Sequence, residues 1–441
     1  MNGVTNFVYG ADWTYSISAE AAKGGILVSA IYTNVWYAAV DGDDSKSGIF
    51  PEEAKSLQGA LANAYLRSGD RVIAMPGTYG SGEMIQDAEK YVISSRAVVP
   101  SGVTLESKGG REATVIVGKK AETKDAQPGT YEYDVRGLGL GAVRCVYLES
   151  GASLKGFTLT NGWTRAVKND GTVSHGDADT CGGGVYGASI DCVAEDCRFV
   201  GNGAFRGAGA YGVLCRNSIL ENNFAYYGGG ATSASRNHGC VSKDNEAAVW
   251  SVNAGIFAAL DAINCTIFDS LSQGAENAVV TNTVVAGTFY PTKMQAMNFS
   301  HCVFNKSKLN SVPADFFEVA QACEKVGEDR LVFDGYRPTI GQNACVDTGT
   351  GDVLPALGDC DLSGGQRIYN GCIDVGALEA DWRSRYGRDI SSRLEVLSAS
   401  AAVVEFEGNV VRLPEGASLG AKLVKRSERG YVFLLRLVVP I

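Results

Sequence analysis

Between Cys181 and Phe304 the chain repeats one short phrase: a small polar or thiol residue, a polar position, then apolar residues. It occurs as Cys197-Arg-Phe-Val-Gly-Asn202, Asn217-Ser-Ile-Leu-Glu-Asn222, Cys265-Thr-Ile-Phe-Asp-Ser270, Asn282-Thr-Val-Val and His301-Cys-Val-Phe. Glycine runs punctuate it at Gly182-Gly-Gly-Val-Tyr186, Gly207-Ala-Gly-Ala-Tyr211 and Gly228-Gly-Gly-Ala231. With its middle apolar residue placed at Phe199, Ile219, Val241, Ile267, Val284 and Val303, the phrase advances by 20, 22, 26, 17 and 19 residues. A wandering period near about twenty residues marks a solenoid whose coils carry loops of variable length. The apolar runs are strand-length and cornered by glycine and asparagine, without helix-length periodicity, so the coils are β rather than helical. One coil cannot bury its apolar face alone. Coils therefore stack, and the apolar column becomes the core. Cys197, Asn217, Cys265 and Asn282 are expected to stack as an inward ladder at one corner, where amides can satisfy backbone groups the turn leaves unpaired.

The pattern changes on either side of this stretch. Residues 1–35 alternate weakly (Phe7, Tyr9, Trp13, Tyr15, Ile17) and read as a short β segment. Leu57, Ala60, Leu61, Ala64 and Tyr65 share one helical face, predicting a helix over about 55–68 that Gly69 stops and that covers the open end of the stack. Early coils follow at Gly102–Glu106, Ala113–Val117, Val143–Leu148 and Ala152–Asn161, interrupted by polar inserts at Lys119–Gly141 and Trp163–Thr180. A short helix and a loop-rich closing region are expected over 313–380. Residues 381–441 hold strand-like runs joined by Gly408-Asn409 and Pro414-Glu-Gly416 turns, which predicts a small antiparallel β module. Its very apolar last strand is either buried centrally or an edge that pairs with another chain, a route to self-assembly through terminal modules. The predicted architecture is all-β: a right-handed parallel β-helix over 36–380 with an N-terminal capping helix and that small C-terminal module.

Composition narrows what such a solenoid can do. The 441 residues are 45% hydrophobic and 20% charged, which excludes a disordered chain. The 55 glycines have no three-residue period, so they serve corners and not a collagen helix. A net charge of -10 argues against nucleic acid as a partner, since phosphate needs a basic footprint. No apolar run is long enough for a transmembrane helix. Gly25–Ile31 is too short and too far in for a signal peptide, so none is evident in this chain. Twelve cysteines without a Cys-x-x-Cys pair are read mostly as buried free thiols, with Cys345, Cys360 and Cys372 the bridge candidates.

Two stretches carry a resemblance. Trp36-Tyr-Ala-Ala-Val-Asp-Gly-Asp-Asp44 through Asp70-Arg-Val-Ile-Ala-Met-Pro-Gly-Thr-Tyr79 resembles the opening of secreted bacterial right-handed β-helix proteins of the pectate-lyase-like superfamily. Asp361-Leu-Ser-Gly-Gly-Gln-Arg367 with Asp374-Val-Gly-Ala-Leu-Glu379 resembles their closing signature, with Val375 in place of isoleucine. The repeat at Gly182–Tyr186 and Phe199–Asn202 is similar to that of polymorphic outer-membrane proteins and autotransported adhesins, although Asn222 follows Ile219 and not a phenylalanine. These resemblances imply an extracellular or cell-surface protein whose partner is a polysaccharide or a cell-surface glycan.

The chemistry splits into two readings. One is a surface β-helix that binds glycans or cells and has no catalysis of its own. The other is a carbohydrate-active enzyme: a polysaccharide lyase on an acidic polysaccharide, or a glycoside hydrolase. A lyase needs a carboxylate neutraliser, Ca²⁺ or arginine, and a base to take the sugar's C5 proton. The residues for it would be His175, Arg206 and Arg216 as catalytic candidates and Asp177 and Asp179 as metal ligands, with Trp163, Tyr226 and Tyr227 stacking on sugar. Against each stands a structural role: a solvated loop for His175, Asp177 and Asp179, surface ion pairs for the arginines beside Glu195 and Asp196, and loop packing for the aromatics.

Overall fold

The computed structural model describes residues 21–22, 25–26, 34–88, 91–124, 135–167, 177–249, 251–291, 298–313, 315–340, 343–358, 360–368, 372–380, 402–406, 409–413, 418–427 and 430–438. His175 lies outside them, as does nearly all of the expected N-terminal segment, of which Ala21–Ala22 and Gly25–Ile26 form an antiparallel pair.

The coils stack into a parallel β-helix. The first sheet runs through Val35–Ala38, Arg71–Ala74, Thr104–Ser107, Ser153–Lys155, Val193–Glu195, Leu214–Arg216 and Arg236–His238 in parallel register. The second has ten strands, from Gly77–Tyr79 to Glu324–Val326. The third includes Tyr91–Val99, Arg144–Leu148, Val185–Gly187, Ala210–Tyr211 and Thr232–Ser233. Two long strands, Ile256–Ile263 and Ser270–Thr281, turn from the third sheet into the first without a break.

Two corners fix the stack. Between the first and second sheets one residue per coil takes a left-handed backbone, with φ of 80° at Gly156, 52° at Asp196, 46° at Asn217, 65° at Gly239, 51° at Asn264, 50° at Asn282 and 50° at His301. Glycine and asparagine suit that conformation. The residue after it points inward. Cys197, Ser218, Cys240, Cys265, Thr283 and Cys302 form this second column, and all are buried. The expected single ladder of Cys197, Asn217, Cys265 and Asn282 is therefore two adjacent columns: the cysteines lie inside and the asparagines on the bend.

The true amide ladder stands at the next corner. Asn223 Nδ2 donates to the Phe199 carbonyl at 3.0 Å and to Asn245 Oδ1 at 2.9 Å, while the Asn202 backbone N and Nδ2 donate to Asn223 Oδ1 at 3.1 and 3.0 Å. Asn245 repeats the pattern onto Asp269, whose carboxylate also accepts from Ser242 Oγ at 2.7 Å and ends the run as a pure acceptor. Burial raises the Asp269 pKa, while these donors oppose the rise.

Two of the six residues of the expected apolar column, Phe199 and Ile267, face inward. Second-sheet register aligns Ile116, Leu159, Phe199, Leu220, Ser242, Ile267, Val285 and Phe304 on the inward face, all buried. Ile219, Val241, Val284 and Val303 lie one residue off and face outward. The closing region hides them: Leu362, Ala377 and Leu378 pack on Val241 and Ile219, and Ala344, Cys345 and Val375 on Val284 and Val303. Strand side chains alternate faces, so a one-residue slip exchanges them. Here the outward face is apolar too, and the pattern alone could not separate the two.

The closing region is clamped by the bend asparagines. Asn264 Nδ2 donates to the Gly376 carbonyl at 2.7 Å, Asn282 exchanges two hydrogen bonds with Thr350, and Arg367 Nη2 donates to Asn217 Oδ1 at 2.9 Å. Gly376 has φ of 121°, and a Cβ there would sit 2.7 Å from Thr266 Oγ1. Asp361, Asp374 and Glu379 are buried in this lock, where Asp374 N donates to Glu379 Oε2 at 2.9 Å and Glu379 N to Asp361 Oδ2 at 3.2 Å. The segment from Asp361 to Glu379 is thus structural.

At the N-terminal end a helix spans only Leu57–Leu61, capped by Ser56 Oγ, which accepts from Gly59 N at 2.9 Å. Leu57, Ala60 and Leu61 join the main core as expected, but Tyr65 lies beyond the helix and is exposed. The short helix of the closing region is Phe316–Val319. The C-terminal module consists of two antiparallel hairpins, Ala402–Phe406 with Asn409–Leu413 and Ser418–Ser427 with Gly430–Val438. Whether its last strand is central or an edge falls on side chains outside the description. None of the twelve cysteines is in a disulfide and nine are buried, so Cys345, Cys360 and Cys372 form no bridge.

Candidate functional site

Register places Tyr147, Tyr186 and Tyr211 one above another. Coils stack about 4.8 Å apart, close enough for aromatic rings to stack. The centroids are 5.4 Å apart for Tyr147–Tyr186 and 5.5 Å for Tyr186–Tyr211, with interplanar angles of 20° and 7°. All three are half-buried, so their ring faces meet one another while edges and hydroxyls reach the surface. Partial burial raises the pKa of each phenol, Tyr211 to about 12, so all remain protonated donors at neutral pH.

Arginines flank this ladder. Arg206 ends the strand Gly203–Arg206 of a separate three-stranded sheet beside the ladder, its guanidinium 4.5 Å from the Tyr227 ring and 5.4 Å from Phe257. Arg144 lies 5.3 Å from the Tyr186 ring but is itself buried. It donates to the carbonyls of Gly182 at 2.8 Å, of Cys181 at 2.7 Å and of Ala178. Burial lowers its pKa to about 10. Asp179 lies beneath the same segment, and neither of its carboxylate oxygens has a hydrogen-bond partner among the described residues. Burial raises its pKa to about 6, the nearby Asp177 adds to the rise, and Arg144 and Arg165 oppose it. Arg144 thus anchors the end of the second insert beside the tyrosines.

The sequence-derived candidates separate in space. Arg206, Tyr227, Asp177 and Asp179 lie around the tyrosine ladder. Trp163 and Tyr226 are buried with Val135, Leu138, Phe205 and Phe224 in a satellite cluster beneath the two inserts, and offer no free face to a sugar. Arg216 belongs to another sheet, 3.4 Å from Glu195, which also holds Lys155 at 3.0 Å. It forms an outer ion pair and does not converge with Arg206. Among the described residues no group of three or more His, Cys, Asp or Glu side chains is arranged to hold a metal. A cleft of about 310 Å³ opens near the first corner, lined by Glu106, Arg111, Glu112, Lys155 and Asp196. Its Arg111 is committed to the carbonyls of Asn217 and Leu362.

Sequence reasoning missed Tyr147, Tyr186, Tyr211 and Arg144. A signal existed for the tyrosines. Val146-Tyr147, Val185-Tyr186 and Ala210-Tyr211 are one motif, the last two behind glycine runs.

Among the described residues no helix is long and apolar enough to cross a membrane. No protein-family model matches the chain, and no curated protein matches it. Among solved structures it is similar to one described as the crystal structure of pectate lyase Pel9A, at 13% identity and a TM-score of 0.34, covering 84% of this chain and 99% of that one.

Proposed function

We propose that this chain is an exported or surface-associated β-helix that binds glycans along the outer face of its third sheet and has no catalysis of its own. The in-register ladder of Tyr147, Tyr186 and Tyr211 carries the reading. Pre-stacked rings lose little conformational freedom on binding, and their protonated hydroxyls repeat at coil spacing. A linear chain of hydroxyl-bearing units lying along the helix axis meets one donor per coil. Arg206, stacked on Tyr227, adds positive charge beside the ladder, which favours a glycan that carries carboxylate or sulfate groups. The overall charge of -10 does not steer such a polymer, so affinity must come from this face itself.

A second reading, a polysaccharide lyase, is favoured by one observation. Arg144 and Asp179 lie beside the ladder with pKa values pushed toward each other. Both are buried, and Arg144 is committed to three carbonyls, so substrate would reach them only if residues 177–182 moved. One panel separates the readings: uronate polymers and neutral glycans, scored by affinity electrophoresis and by ultraviolet absorbance of unsaturated products. The proposal expects retention by at least one glycan, weakened roughly tenfold in Tyr211→Ala, with no absorbance change; tenfold corresponds to about 1.4 kcal/mol. Growing absorbance would establish the lyase. No retention across the panel, or equal retention of Tyr211→Ala, would remove the ladder as a binding site.

A further inference from the structure

The thiol column at the first corner ends in two cysteines on adjacent coils. Ser300 bridges Gln321, and Val303 pairs with Glu324, which sets Cys302 directly beside Cys323. Glu324 N donates to the Cys302 carbonyl at 2.9 Å. Neighbouring strands lie about 4.8 Å apart, within the Cα separation of about 4.4–6.8 Å that a disulfide spans. Cys302 Sγ lies 3.2 Å from the Ser300 carbonyl, and Cys323 Sγ lies 3.5 Å from the Gln321 carbonyl, the equivalent position one coil on. Cys240 and Cys265 are stacked in the same way, but both are wholly buried, whereas Cys323 is half-exposed at the end of the helix.

We infer that Cys302 and Cys323 are a disulfide-forming site that staples the last coil to the stack, with Cys323 as the thiol an oxidant reaches first. The neighbouring Cys302 lowers the Cys323 pKa, while burial raises that of Cys302 and keeps it the neutral thiol. With a small disulfide such as oxidised glutathione, the Cys323 thiolate attacks one sulfur and releases one glutathione. Cys302 then attacks Cys323 Sγ in the mixed disulfide and releases the second glutathione, which takes up the Cys302 proton. Two protein thiols lose two electrons, and one small disulfide is reduced to two thiols. The closed loop contains the helix Phe316–Val319, whose Phe316 and Phe317 pack on Phe289 and Phe304 over the end of the core. The bond would therefore pin the C-terminal cap of the solenoid.

The test treats the folded protein with oxidised glutathione, alkylates remaining thiols and maps a tryptic digest without reduction. Trypsin cuts after Lys306 and Lys308 and so separates the two cysteines. The expected product is Met294–Lys306 cross-linked to Leu309–Lys325, with Cys240 and Cys265 alkylated only after unfolding, and a melting temperature higher than that of the reduced protein. In Cys302→Ser, Cys323 should stop at the glutathione adduct. In Cys323→Ser, Cys302 should stay unmodified and the melting-temperature difference should vanish. A wild-type Cys323 that ends as the glutathione adduct, or that stays free while the exposed Cys360 and Cys372 react, would overturn the inference.

Discussion

Truncating Asn223 tests whether the amide ladder holds the coils in register. Its side chain makes four hydrogen bonds, two accepted from Asn202 and two donated, to Phe199 and Asn245, at 2.9–3.1 Å. Asn223 and Asn202 are both essentially buried, so water cannot replace what is lost. In Asn223→Ala the Asn202 Nδ2 keeps the Leu159 carbonyl at 2.9 Å, and Asn245 Oδ1 keeps the Asn223 backbone N at 3.0 Å. The buried Asn202 N–H is orphaned, and the Phe199 carbonyl loses a donor. An orphaned buried group costs about 1–3 kcal/mol, and each remaining exchange about 0.5–1.5 kcal/mol. The expected loss is roughly 3–5 kcal/mol, a large share of the roughly 5–15 kcal/mol that holds an ordinary domain.

Urea unfolding followed by far-ultraviolet circular dichroism measures this loss as a lower midpoint at unchanged slope. Asn222→Gly is the matched control. Asn222 is exposed on the bend with φ of 54°, a conformation glycine adopts freely, and the change should stay within about 0.5 kcal/mol. If Asn223→Ala moves the midpoint no further than Asn222→Gly, the ladder is incidental to coil registration and the reasoning fails.

Two further outcomes test the closing lock. Burial, with Asp374 adding to it, lifts Glu379 to about 9, against 4.5 for an ordinary glutamate, so the fold keeps a proton that the unfolded chain releases. That contribution is complete below about pH 4.5 and is lost as pH rises towards 9. Glu379→Gln should therefore flatten the decline in stability from pH 5 to 8 by on the order of 3 kcal/mol, and equal slopes in the two proteins would contradict the assignment. Gly376→Ala should destabilise by about 1–3 kcal/mol through its left-handed-side φ and its contact with Thr266, and should open the closing region to limited proteolysis; an unchanged digestion pattern would show that Thr266 yields freely.

What was legible in the sequence follows from what stacking constrains. Every coil must turn the same two corners, so the bend residues Asn217, Gly239, Asn264 and Asn282 recur with little freedom, and the period and fold class can be read from them. Register is harder. The bend residue is Asp196 in one coil and Asn217 in the next, and taking Cys197 as the equivalent of Asn217 shifts four of the six column residues by one. Nothing in the apolar pattern corrects that shift, because Val241 and Val284 are buried under closing-region residues sixty or more positions away in the chain. The outer face is harder still. Stacking does not require Tyr186 and Tyr211 to be tyrosine, so their recurrence gains meaning only once register sets them over one another. Arg144 lies further from view: its partners are carbonyls of residues 178–182, and a backbone acceptor has no residue type from which a sequence could announce it. In a solenoid the core can be counted along the chain, whereas a site on its surface is defined by register, and one misplaced residue moves it to the opposite face.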